Sequence, residues 1–136
     1  MIRKLFKCVM FFLFIWWFFF AHVSIKTEKY KLYSLYDENY IADWYKPNNF
    51  NLIGIYFNLH YFSDQAQYVV LRNKDGTYIG QSSPFNMNPY WGEKYASFPN
   101  ERKRTFGSLY EMEKEGLYDI SLDERKWWDY ILIYFY

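Results

Sequence analysis

One cysteine, Cys8, is the whole thiol content of the 136 residues, and it lies inside an apolar N-terminal run. The rest of the chain is therefore without a disulfide or a thiolate metal site. Small eukaryotic secreted modules are usually stapled by disulfides, and no asparagine here opens an Asn-x-Ser/Thr acceptor site. Both absences fit a bacterial envelope protein. Histidine is nearly as scarce, with only His22 and His60. A nucleophilic triad needs a histidine base beside its serine or cysteine, and a zinc site needs three or four ligands. His60 stands on an aromatic stretch and reads as a half-buried structural imidazole. His22, at the outer end of the apolar run, reads as an interfacial residue.

Other chemical signatures are missing too. Gly76 and Gly80 do not form a phosphate loop. Asn73-x-Asp75-Gly76 begins like a calcium loop, but Pro84 stands where the closing acid is required. Asp43, Asp64, Asp75, Asp119 and Asp129 show no spacing that pairs two carboxylates for glycoside hydrolysis. They read as solvated or turn-forming groups. No cofactor and no metal is expected, and the chain is read as a non-enzyme. Net charge excludes a further class. Three of the sixteen basic residues and none of the fifteen acidic ones precede residue 26, so the remainder carries a net charge of −2. A near-neutral domain has no broad field with which to gather nucleic acid. Arg102-Lys103-Arg104, beside Glu101, reads as a solvated basic loop.

What is present begins with the N-terminal run. Cys8 to Ala21 is unbroken and apolar, and Phe11, Phe12, Phe14, Trp16, Trp17 and Phe18 are its bulkiest part. From Leu5 to Ile25, with Lys7 snorkelling, the segment makes about 30 Å of helix, the thickness of a bilayer core. A signal peptide has the same beginning, a basic stretch and then an apolar one. Its cleavage site, however, needs small residues at −3 and −1. Phe19 lies two positions before Ala21, Val23 is β-branched, and a cut after Ser24 would place His22 at −3. Residues 1–25 are therefore read as an uncleaved signal-anchor, and 26–136 as one soluble extracytoplasmic domain. Cys8 follows Leu5-Phe6-Lys7, with a charge beside it and no apolar run upstream, so it is not a lipoprotein cysteine. Basic residues flank both ends, Arg3, Lys4 and Lys7 against Lys26, Lys29 and Lys31. A short basic N-terminus before a first apolar segment ordinarily stays cytoplasmic. The expected location is the inner membrane, single-pass, with the domain in the periplasm; secretion to the periplasm after cleavage is the alternative.

The domain is rich in rings. All sixteen tyrosines lie in it, and 26% of the whole chain is aromatic. Tyrosine suits half-buried strands and contact surfaces alike, having an apolar ring and a polar tip. Tyr30 to Tyr36 and Tyr40 to Tyr45 alternate as strands around Asp37-Glu38-Asn39. Leu52 to Phe62 has helical spacing in Ile53, Tyr56, Phe57, His60 and Tyr61, opposed by Gly54. Gln67 to Arg72 and Thr77 to Gln81 form a hairpin about Asn73-Lys74-Asp75-Gly76. Residues 82–99, with Pro84, Pro89, Gly92 and Pro99, read as an ordered aromatic loop. Ser108 and Glu111 have capping-box spacing for a short helix over 109–115. Leu117 to Leu122 and Lys126 to Tyr136 read as a terminal hairpin, its apolar YILIYFY end a central strand buried on both faces. The fold class is thus α+β and strand-dominated: an antiparallel sheet with one or two short helices, after one transmembrane helix.

Tyr78 to Phe85 (YIGQSSPF), following the Val69-Val70-Leu71 strand, resembles a pattern of small, N-terminally anchored, uncharacterised proteins of Gram-negative bacteria. The resemblance covers residues 67–86 and the anchor-plus-domain layout. It implies a location and no catalytic residue. The functional expectation is a protein–protein contact role in the envelope, with an immunity or exclusion factor as one concrete form. Its candidate surface is Phe85, Tyr90, Trp91 and Tyr95, rings on an irregular segment of the kind that carries binding residues. The alternative is a module that binds cell wall or another glycan by stacking Tyr90 and Trp91 on sugar faces.

Overall fold

The computed structural model describes residues 1–25, 28–60, 66–86, 96–108 and 120–135. It is an α+β structure, rich in antiparallel strands, with a long apolar helix at its N-terminus. Helix α1 is Ile2–Ser24. Strands β1 (Lys31–Tyr36) and β2 (Tyr40–Tyr45) precede α2 (Leu52–His60). Then come β3 (Ala66–Asn73), β4 (Tyr78–Gln81) and the two-residue β5 (Phe85–Asn86). Strands β6 (Ala96–Ser97), β7 (Thr105–Ser108) and β8 (Ile120–Ser121) follow, and α3 (Asp129–Leu132) runs into a 3-10 turn, Ile133–Phe135.

The main sheet has the order β1-β2-β3-β4, and β5 also pairs with β3. Registers are antiparallel throughout, with Ala42 opposite both Leu35 and Leu71. Between β4 and β5 the ladder is carried by Ser82. Its amide donates to the Val69 carbonyl at 2.9 Å, and its hydroxyl accepts from the Val69 amide at 2.9 Å. The smaller sheet, β6-β7-β8, delivers Phe106 and Ile120 to the core.

Strand β3 is the centre of the molecule. Six consecutive residues from Ala66 to Leu71 are buried, which requires cover on both faces. Successive side chains alternate between faces, so Val69 and Leu71 join Ala42, Trp44, Phe85 and Phe106 on one side. Tyr68 and Val70 join Val23, Tyr78 and Leu132 on the other. The second cluster is closed by residues from the two ends of the chain: Val23 belongs to α1 and Leu132 to α3.

The doubly buried strand expected at the C-terminus is therefore β3, and Tyr130 to Phe135 is helical instead. The reason lies in the spacing. Trp128 and Leu132 stand four apart and pack on the second cluster together, as one helical face does, whereas a strand would bury alternate residues. Among the described residues the expected terminal hairpin does not form either. Ile120–Ser121 pairs with β7, through Phe106↔Ile120 and Thr105↔Ser121. The irregular stretch 82–99 has the short strands β5 and β6 near its ends. The helix expected over 109–115 lies outside the described residues.

Candidate functional site

The last two turns of α1 are built into the domain. A helix ends with four carbonyls that have no partner of their own. Here the domain provides donors. Asn48 Nδ2 donates to the Ala21 and Ile25 carbonyls at 2.9 and 3.0 Å, and the Asn48 amide donates to the His22 carbonyl at 3.1 Å. Gln81, buried in β4, reaches the Val23 carbonyl at 3.4 Å. Asn51 joins α1 to α2. Its Nδ2 donates to the Trp17 and Phe18 carbonyls at 2.8 and 2.9 Å, while its Oδ1 accepts the Gly54 amide at 2.8 Å and so caps α2. The Trp17 indole N–H donates to the Phe50 carbonyl at 2.6 Å.

Gly54 explains how two helices come this close. A Cβ on it would fall 1.9 Å from the Asn48 carbonyl oxygen and 2.8 Å from the His22 Cβ. The residue that opposes a helix by propensity is thus the one that lets α2 sit on α1. The His22 ring is buried and lies against the Phe57 ring, centroids 5.9 Å apart.

On the other flank the C-terminal segment closes against α1. Trp127 meets Phe20 edge to face at 6.0 Å, and Phe135 stacks on Trp16 at 5.9 Å. The Trp128 indole donates to the Gln81 carbonyl at 2.8 Å. Asp129, 3% exposed, accepts from the Tyr78 hydroxyl at 2.6 Å, the Gln81 amide at 3.0 Å and the Lys126 amide at 3.2 Å. Burial nonetheless holds its carboxyl above the ordinary carboxylate range, with the three hydrogen bonds opposing the shift. Gly80 makes room for it: a Cβ there would meet Ile120 at 2.7 Å and Asp129 at 3.4 Å. A small apolar cleft of about 140 Å³ remains among Phe19, Phe20, Pro84, Trp127 and Trp128.

A second concavity, about 320 Å³, lies at the other end of the sheet between Tyr40, Asn73, Thr77, Arg104 and Arg125. The Arg104 guanidinium forks onto Asp123 at 2.9–3.2 Å. Among the described residues, no cluster of His, Cys, Asp or Glu could hold a metal ion.

The residues singled out in the sequence are distributed unevenly over this arrangement. Phe11, Phe12 and Phe14 are exposed along the outer part of α1, whereas Trp16 and Phe18 are half-buried where α1 meets the domain. Trp17 is divided between the two, its ring partly exposed and its indole N–H held. Phe85 is 6% exposed and belongs to the core, so its ring is covered. Tyr90, Trp91 and Tyr95 lie outside the described residues. Two carboxylates read as solvated are buried instead. Besides Asp129, Asp43 is 1% exposed and is held by Arg72, Lys31 and Ser34. Asp75 does hold its turn, accepting from the Thr77 amide and hydroxyl. Asn48, Asn51 and Gln81 went unnoticed in the sequence. The concentration of asparagine in Asn48-Asn49 and Asn51 is the one local signal of a capping role, and it says nothing of the partner.

A strand-rich α+β domain with an apolar, span-length helix capped by its own side chains defines the class of protein. The chain belongs to a family of unknown function, DUF6201, whose model matches residues 2–132 and so takes in helix and domain together. No curated protein and no solved structure matches the chain.

Proposed function

We propose that the protein is a single-pass protein of the bacterial inner membrane whose periplasmic domain acts by contact with another envelope protein. An immunity or exclusion factor, which blocks an incoming toxin by occupying it, is the concrete form favoured. The carrying observation is the capped end of α1. Any cleavage between residues 20 and 27 would take away the Trp17 and Phe18 carbonyls that Asn51 serves. A cut after Val23 or Ser24 would also strip Val23 from the second core cluster and remove the Ala21 and Val23 carbonyls that Asn48 and Gln81 serve. A helix used in this way is a permanent part of the domain, and this supports the anchor over the signal peptide. The mount also fixes the attitude of the domain over the bilayer, which suits a protein that presents a surface rather than one that turns over a soluble substrate. Arg3, Lys4 and Lys7 at the free end of α1 support a cytoplasmic location for that end.

The test has two parts. The chain should stay in the membrane pellet through a carbonate wash, with an intact mass that includes residues 1–25. Crosslinking in intact envelopes should then capture one protein partner in stoichiometric amount. A mature chain starting between residues 20 and 27 removes the anchor. The concavity beside Tyr40, with Asn73, Thr77 and Arg125 at its rim, favours a second reading, a glycan-binding module. Recovery of peptidoglycan fragments in place of a protein would select it.

A further inference from the structure

Docking shortens α1 as a membrane span. From Trp16 onward its surface is shared with the domain through Phe135, Phe50 and Asn51. What remains free, from Leu5 to Ile15, is about 17 Å of helix at 1.5 Å per residue. A bilayer core is about 30 Å thick. Mismatch of this size is met by thinning the bilayer or by sinking flanking apolar groups into it.

The domain carries such groups around the point where α1 leaves it. Two segments flank that point. The start of α2 lies level with Trp17, because Phe50 and Asn51 bond there, while Gly54 and Phe57 lie level with His22. The C-terminal segment runs the same way: Trp127 is level with Phe20, and Phe135 with Trp16. Both therefore approach the free part of α1 with apolar ends. Leu52 is 60% exposed and Tyr134 is 87% exposed, with Phe50, Tyr130 and Phe135 exposed beside them. Neither Leu52–His60 nor residues 130–136 contain a charged residue. In water such groups at the base of a domain are costly. At the headgroup boundary, rings with a polar tip are favoured.

We propose that the start of α2 and the C-terminal segment form a membrane-seated collar, sunk into the interfacial layer on opposite flanks of α1. It makes up the missing apolar length and fixes the tilt of the domain. The occupant of this surface is lipid. The assignment follows from its continuity with the exposed apolar length of α1, and it rests on the reading of α1 as a span.

The experiment uses the full chain with Cys8→Ser, carrying one cysteine at a time at Leu52→Cys, Tyr134→Cys, Phe12→Cys or Tyr36→Cys. Each is labelled with an environment-sensitive fluorophore and reconstituted in phosphatidylcholine vesicles brominated on the acyl chains. Tyr36, 73% exposed, ends β1 at the far side from its start near α1. The collar predicts blue-shifted, bromine-quenched emission at positions 52, 134 and 12, and iodide-quenched emission at 36. Quenching by bromine at 12 alone, with 52 and 134 open to iodide, overturns the collar and leaves the span standing. No bromine quenching at 12 overturns both. Disulfide crosslinks between chains at 52 or 134, without lipid quenching there, assign the surface to a second copy and also overturn the collar.

Discussion

Phe11, Phe12 and Phe14 are exposed on the outer part of α1, while one to two turns further on Phe18 and Phe20 are half-buried and Ala21 to Ser24 are buried. The two parts of the helix share a composition. Only their surroundings differ. The inner part has polar partners on its carbonyls, from Asn48, Asn51 and Gln81, and apolar partners in Tyr68, Val70 and Leu132. The outer part touches, among the described residues, chiefly its own neighbours, as in the Phe11–Phe12 and Phe14–Trp17 ring pairs. An apolar helix thus becomes part of a folded domain where side-chain amides serve its carbonyls, and a candidate for lipid where none do. Hydrophobicity alone does not locate that boundary.

The largest test cuts the helix at two places. Deleting residues 2–14 should leave the thermal transition of the domain unchanged. Deleting residues 2–24 removes a buried valine and alanine, takes away the carbonyls that Asn51 and Gln81 serve on α1, and leaves Asn48 only the Ile25 carbonyl. Burial of one such aliphatic side chain contributes about 1.5–3 kcal/mol, and each stranded buried polar group costs about 1–3 kcal/mol. The sum, about 5 kcal/mol or more, reaches the usual stability of a small domain. Equal melting of the two truncations by circular dichroism would show that the inner part only leans on the domain.

Smaller changes act on the same contact. Gly54→Ala should cost about 1–3 kcal/mol, because its Cβ would overlap the Asn48 carbonyl and press on the His22 Cβ of α1, so that α2 must shift. Asn51→Ala should cost about 1–2 kcal/mol through the lost cap of α2 together with the bonds to α1. Chemical denaturation measures both. A double mutant no worse than Gly54→Ala alone would show that the two residues hold one contact.

Asp129 extends the comparison to the C-terminal flank. Its folded-state pKa is raised by burial, so the folded state holds the proton more tightly than the unfolded chain does. Its contribution is complete below the ordinary carboxylate value of about 4 and falls as pH rises through the folded value. Asp129→Asn keeps an acceptor for Tyr78 and Gln81 and cannot ionise. Over a titration from about pH 4 upward, the stability of the parent relative to this variant should decline, by at most about 1.4 kcal/mol per pH unit. A constant difference across that range would mean that the carboxyl titrates at its ordinary value.

Much of the sheet was legible because its signals are local. The alternation in Tyr30–Tyr36 and Tyr40–Tyr45, and the Asp-Gly turn between β3 and β4, depend on neighbours in sequence. So does the helical spacing of α2. Two signals were not local. The run YILIYFY is apolar in every register, so periodicity cannot tell a buried strand from a short helix. The packing of Trp128 and Leu132 on β3 decides it. The junction was invisible for a different reason: Asn48 and Asn51 act on carbonyls 23 to 34 positions earlier. Nothing in a turn-like Pro47-Asn48-Asn49 announces that distance. Buried Asp43 and Asp129 were misjudged in the same way, since Arg72 and Tyr78 reach them from other strands.

The smallest expected effect is the sharpest check on the division of α1. Phe12 is exposed, and among the described residues its ring meets that of Phe11. Phe12→Ala removes a large ring, a change that in a packed core costs about 3–5 kcal/mol. Here there is no surrounding core to lose, so the melting temperature of the domain should stay within measurement error in detergent. The membrane should register the change instead. A ring withdrawn from the hydrocarbon layer weakens retention of the helix, and the variant should be extracted from membranes at a lower detergent concentration than the parent. Phe20→Ala, eight residues along, should do the reverse, lowering the melting temperature through its contacts with Trp127 and the second core cluster. Were both variants to melt alike, the two parts of α1 would share one environment, and the boundary at Trp16 would have no physical meaning.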